Sequence, residues 1–129
     1  MTSVNTLTEA IIGCAMTVHR RLGRVILESA YEACLMYKLQ AAGFSVVSQM
    51  PIPLIGSDAH LECGYRLDLL VEDRVIVEVK AKESIPPVDC AQLLSCLRLA
   101  ELEFGLFLNF HTEVLKDGIH RIVNNCCEG

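Results

Sequence analysis

The apolar residues of this chain fall into two helical sets, followed by a stretch whose period approaches two. Leu7, Ile11, Cys14, Val18 and Leu22 recur at helical spacing, and Thr6-Leu7-Thr8-Glu9 has the T-x-x-E form of a capping box. A first helix over about Thr6 to Arg21 is predicted. After the break at Gly23, Leu27, Tyr31, Leu35 and Leu39 predict a second helix running to Gly43, placed where a left-handed C-terminal glycine belongs. From Phe44 onward, β-forming residues are punctuated by Pro51, Pro53 and Gly56-Ser57-Asp58. Proline cannot donate to a ladder, so short strands with at least one at a sheet edge are expected. Arg66 to Val71 and Val75 to Lys80 are the clearest strands, joined through the charged turn Glu72-Asp73-Arg74. Pro86-Pro87 opens a third helix with Cys90, Leu93, Leu94 and Leu97 on its apolar face, ending near Ala100. Phe104 to Phe110 reads as a buried strand. Lys116-Asp117-Gly118, then Ile119, Ile122 and Val123, read as a turn and a short final element.

With 129 residues, 52% of them apolar, and no low-complexity stretch, residues 1–129 are expected to form a single domain around one core. The longest apolar runs, such as Val75 to Val77 and Phe104 to Leu108, fall far short of the ~18 residues of a membrane span. The start MTSVNTLTEA lacks the regions of a signal peptide, so a soluble, cytoplasmic protein without a membrane partner is expected. The seven cysteines are odd in number and scattered, which favours reduced thiols over a disulfide scaffold. Cys14, Cys34, Cys63, Cys90 and Cys96 lack the paired C-x-x-C spacing of zinc or iron–sulfur ligands, and most are read as small core residues. Cys126 and Cys127 are vicinal and read as spare thiols, with a redox or metal role as the alternative. A net charge of −5 opposes a broad nucleic-acid-gripping surface. Phosphate contacts must then be local, at Arg20, Arg21 and Arg24 or at Lys80 and Lys82, unless these are only solvated faces.

The hairpin concentrates the chemistry. With Glu72 to Arg74 as the loop, Val71 pairs with Val75, Leu70 with Ile76, Leu69 with Val77 and Asp68 with Glu78. Alternation then puts Leu67, Leu69, Val71, Val75, Val77 and Val79 on an apolar face. Arg66, Asp68, Leu70, Ile76, Glu78 and Lys80 share the other. Two facing carboxylates repel unless a cation lies between them. Lys80 or Arg66 could supply that cation as a structural ion pair, or a hard dication such as Mg²⁺ could, since it binds through one or two carboxylates and keeps waters.

Asp68, nine intervening residues, then Glu78-Val79-Lys80 resembles the D-x(n)-E-x-K signature of the PD-(D/E)xK nuclease superfamily. From Leu7 to about Asn124 the chain resembles the small GxxExxY proteins of that superfamily. The resemblance is carried by Val18-His19-Arg20, Leu27-Glu28-Ser29-Ala30-Tyr31-Glu32, Gly64-Tyr65-Arg66-Leu67-Asp68-Leu69-Leu70-Val71, Ala91-Gln92-Leu93-Leu94 and Leu115-Lys116-Asp117-Gly118-Ile119. It implies an α/β (α+β) fold with a restriction-endonuclease-like core, a mixed sheet of about four to six strands flanked by helices. Two positions depart from the pattern: Val25 stands where the family name places glycine, and Cys96 follows Gln92 where related nucleases often carry tyrosine.

The resemblance also implies roles. Asp68 and Glu78 would hold Mg²⁺ or Mn²⁺, with the carbonyl of Val79 as a further ligand, and Lys80 would orient a water or stabilise charge on the transition state. Glu28 on the second helix is a fourth candidate for the metal, against a first-turn glutamate favoured by the helix dipole. His19 is a fifth, against a packed, hydrogen-bonded histidine. Gln92 could orient Lys80 or a phosphate. Tyr65, Arg66, Tyr31 and Arg20 are candidate substrate contacts. The function expected is a divalent-metal-dependent nuclease acting on DNA in preference to RNA, with a homo-oligomer or protein partner supplying further surface. The alternative is a catalytically inactive nucleic-acid-binding or protein-interaction module that keeps the fold, and a third reading confines the acids to stabilising ion pairs.

Overall fold

The computed structural model describes residues 3–24, 27–54 and 61–125, with the backbone alone for 53–54 and 61–65. Helix α1 spans Val4–Leu22 and α2 spans Glu28–Ala41. Strands β1 (Val46–Leu54), β2 (Leu61–Val71) and β3 (Val75–Lys80) follow, then α3 (Pro87–Ala100), β4 (Phe104–Asn109), a 3₁₀ turn (Leu115–Gly118) and β5 (Ile119–Val123). Helix α1 starts before the T-x-x-E motif, because Ser3 accepts from the Thr6 N–H at 3.1 Å and serves as the N-cap. Thr6 therefore lies inside the first turn. Helix α2 ends as expected: Gly43 takes φ 97°, and the Gly43 and Phe44 N–H groups return to the carbonyls of Gln40 and Leu39, the paired bonds of a Schellman motif.

The five strands lie in the order β1-β2-β3-β4-β5. All neighbours are antiparallel except β3 and β4, which run parallel. A parallel pair needs a crossover, and α3 supplies it. The predicted group of short strands after Phe44 is instead one nine-residue edge strand, β1, which tolerates Pro51 and Pro53 because one side of an edge has no ladder to break.

Two cores sandwich the sheet. Leu7, Ile11 and Val18 of α1 and Tyr31, Leu35 and Leu39 of α2 cover one face, against Leu69, Val71, Val75, Val77, Val79, Leu106 and Leu108. On the other face Leu93, Cys96 and Leu97 of α3 meet Ile52, Leu67, Leu70, Ile76 and Phe107. The result is an α+β fold with a mixed sheet between helical layers. Gly118 fits so closely beneath β4 that an added Cβ would lie 2.4 Å from the Asn109 carbonyl oxygen. No helix among the described residues is long and apolar enough to cross a membrane.

Candidate active site

The β2–β3 ladder runs from Val71↔Val75 to Leu69↔Val77, in the register read from the sequence, and stops one pair before Asp68 and Glu78. Beyond that point the Asp68 side chain takes over the backbone's role: its Oδ2 accepts from the Val79 N–H at 2.8 Å. The predicted alternation also fails here. Leu67, expected with Leu69 and Val71, packs instead with α3, so β2 changes face across Asp68. Strand β1 does the same opposite it, since Val46 packs under α1 and α2 whereas Ile52, which shares its parity, packs under α3. Between these two residues, Gln49 adopts φ 53°. A change of face in both strands at one level replaces a regular ladder with a place where side chains from the sheet meet α2.

Helix α2 brings its first two turns to that place. Glu28 Oε2 accepts from the Ala81 N–H at 3.0 Å, tying α2 to the chain leaving β3. Glu32, one turn on, lies against Asp68 and accepts from Gln49 Nε2 at 3.0 Å on each oxygen. Glu78 is 3% exposed, and its Oε1 has no hydrogen-bond partner. Burial, then the Asp68 charge, pushes the Glu78 carboxyl up to about 8, opposed by the Lys80 cation. Burial also raises Asp68, countered first by the Val79 N–H bond and then by Lys80. Glu32 is raised mainly by burial, with the Gln49 bond acting the other way.

The peptides after Lys80 are pinned by a buried asparagine at the end of β4. Asn109 accepts from the Lys82 N–H at 3.1 Å and donates to the Lys82 carbonyl at 2.9 Å, while the Phe110 N–H donates to the Lys80 carbonyl at 2.8 Å. The Lys80 backbone is thus held on both sides of its strand end.

The remaining nominated residues lie in several places. Val79 is buried beside Asp68. His19 Nε2 bonds the Thr112 carbonyl at 2.8 Å and its ring lies 6.2 Å from that of Phe110, so it joins α1 to the chain after β4. Tyr31, expected at a substrate surface, is fully buried: its ring stacks on Phe110 with centroids 4.4 Å apart, and its hydroxyl donates to the Gly23 carbonyl. Position 31 falls on the face of α2 that points into the core, which removes it from substrate contact. Gln92 is exposed on α3. Arg66 is exposed and donates to the Gln49 carbonyl at 3.3 Å. Arg20 is exposed in the last turn of α1, and Arg24 is engaged with the His111 carbonyl and Glu113. Tyr65 lies on β2, but its side chain falls outside the described atoms, as do Val25, Cys126 and Cys127. Glu32 and Gln49 were not nominated from the sequence. The i, i+4 spacing of Glu28 and Glu32 was the available signal for the first, and the second depends on a backbone angle that no residue pattern announces.

Among the described residues, no three His, Cys, Asp or Glu side chains converge tightly enough to enclose a metal ion by themselves. The donors that do meet are carboxylate oxygens. One of them, Glu78 Oε1, is buried and unsatisfied, which fits a hard dication that takes two carboxylates and completes its shell with water and substrate. No curated protein and no solved structure matches the chain. The sequence profile of the PD-(D/E)XK nuclease superfamily matches residues 5–122, from the first turn of α1 into β5 and across every element of the site. With that match over nearly its whole length, a mixed sheet between helical layers, and the acids and lysine on the adjacent strands β2 and β3, the chain belongs to the PD-(D/E)XK nuclease superfamily.

Proposed function

We propose that this protein is a divalent-metal-dependent nuclease of the GxxExxY group, acting on DNA in preference to RNA, as a single cytoplasmic domain. The observation that carries the reading is the buried Glu78 carboxylate with an unpartnered oxygen, packed beside Asp68 and within the field of Lys80. Burying an unpaired acid is costly, and such an arrangement is kept where a bound cation or a reaction requires it. Asp68 and Glu78 would hold Mg²⁺ or Mn²⁺, with Glu28 and the Val79 carbonyl as further candidate ligands. When bound, the metal supplies Lewis acidity toward a phosphate oxygen and lowers the pKa of water. The chain's own part is to aim Asp68 through the Val79 N–H, to exclude water from Glu78 and to present the Lys80 ammonium to developing negative charge.

Cleavage of plasmid and single-stranded DNA in Mg²⁺ or Mn²⁺, compared with Glu78→Ala, tests this. Cleavage by the wild type and none by the variant is expected. Equal rates for both proteins sink the assignment. The net charge of −5 and the exposed position of Gln92 favour a second reading, an inactive protein-interaction module that keeps the fold. It predicts no metal-dependent cleavage, and partner binding that neither metal nor Asp68→Ala alters.

A further inference from the structure

Gln49 combines features that a regular edge strand would not produce. Its φ of 53° lies in the left-handed region, which side chains other than glycine enter at a cost in free energy. Yet its neighbours Ser48 and Met50 keep their register against Leu69 and Leu67, so the pairing runs through this position opposite Asp68 and shifts only farther on, between Pro51 and Pro53. Val46 points toward α1 and α2, and strict alternation would turn Gln49 away from that layer. The left-handed angle accompanies the opposite outcome: the carboxamide reaches α2 and donates to both Glu32 oxygens at 3.0 Å, while the Arg66 guanidinium donates to the Gln49 carbonyl. Strain kept at one residue beside an acid cluster is the kind of outlier from which a functional role is inferred.

We propose that Gln49 is a positioning residue, fixing the Glu32 carboxylate beside Asp68 so that the cation seat of Asp68 and Glu78 gains a third negative group. This rests on the metal-dependent reading above. A donor shared by both oxygens sets the plane of the Glu32 carboxyl group and holds it against Asp68, and a third acid at that place strengthens the demand for a cation there. Glu78 Oε1, buried and unpartnered, is the further sign that the cluster is built around something positive. Partners that orient ligating carboxylates commonly affect metal affinity by about 10- to 100-fold.

The test is a Mn²⁺ titration by calorimetry on the full chain after stripping metal, with wild type, Gln49→Gly, Gln49→Asn, Glu32→Gln and the double variant Gln49→Gly/Glu32→Gln. Glycine and asparagine both suit the left-handed angle, so folding is preserved, and neither reaches Glu32. Each single variant is expected to bind Mn²⁺ at least about tenfold more weakly. The double variant should bind no more weakly than Glu32→Gln, because the two residues act as one unit. The metal-free melting temperature of Gln49→Gly should match or exceed that of the wild type, whereas a purely structural role would lower it and leave affinity intact. Wild-type affinity in Gln49→Gly and Gln49→Asn, with binding lost in Asp68→Ala, overturns this proposal alone. No Mn²⁺ binding by the wild type overturns it together with the metal reading.

Discussion

Replacing Glu78 by glutamine should make the metal-free protein more stable, and increasingly so as pH rises. In the folded chain the Glu78 carboxyl holds its proton to about pH 8, against an ordinary value of 4.5, because it is buried beside Asp68. Between those two pH values the native state keeps a proton that the unfolded chain has released. Wild-type stability therefore falls as pH rises from 4.5, and the loss is complete above 8. At ~1.4 kcal/mol per pH unit, the cost reaches about 3 kcal/mol at pH 7 and about 5 kcal/mol at pH 9. Glutamine has the same shape, carries no charge, and offers Asp68 an N–H donor. Below pH 5 the wild-type acid is neutral too, and the proteins should melt within a few degrees of each other. At a few degrees per kcal/mol for a chain of this length, the variant should melt ~10 °C higher at pH 8 to 9. Thermal melts followed by circular dichroism in a chelator, from pH 5 to 9, measure this directly. A gap that does not change with pH, or a variant less stable than wild type at pH 9, refutes the reasoning and means that Glu78 is already charged and paired at neutral pH. Saturating Mn²⁺ should close the gap from the wild-type side, since only the wild type gains from the ion.

Metal affinity should itself depend on pH, because the cation competes with the Glu78 proton: Mn²⁺ binding should tighten from pH 6 to about 8 and then level off, with proton release detectable by calorimetry in buffers of different ionisation heat. Tyr31→Phe should cost about 1–2 kcal/mol through the lost bond to the Gly23 carbonyl and leave nucleic-acid affinity unchanged, as a binding assay beside a denaturant melt will show. Gly118→Ala should destabilise by about 1–3 kcal/mol, since its methyl group meets the Asn109 carbonyl at the end of β4, and unchanged stability would show that the 3₁₀ turn shifts freely.

The hairpin was legible in the sequence because its register is a local matter. A charged three-residue turn between alternating strands leaves one pairing that keeps Val71, Val75 and Val77 on a single face, and Val71↔Val75 to Leu69↔Val77 follow from it. The Schellman end of α2 and the opening of α3 at Pro87 were legible for the same reason, since glycine permits the left-handed angle that closes a helix and proline fixes the φ that opens one, each where it stands. The D-E-x-K spacing therefore placed Asp68 and Glu78 on adjacent strands without reference to any other element. What the sequence could not determine is where the alternation fails. The change of face at Asp68 and the left-handed angle at Gln49 depend on how α2 lies across β2 and β3, a packing between segments far apart in the chain. The same packing turned Tyr31 into core against Phe110 and brought Glu32 to Asp68, although both lie on one helix beside Glu28. Spacing along a helix says which side chains share a side; only the tertiary structure decides whether that side meets core, acid or solvent.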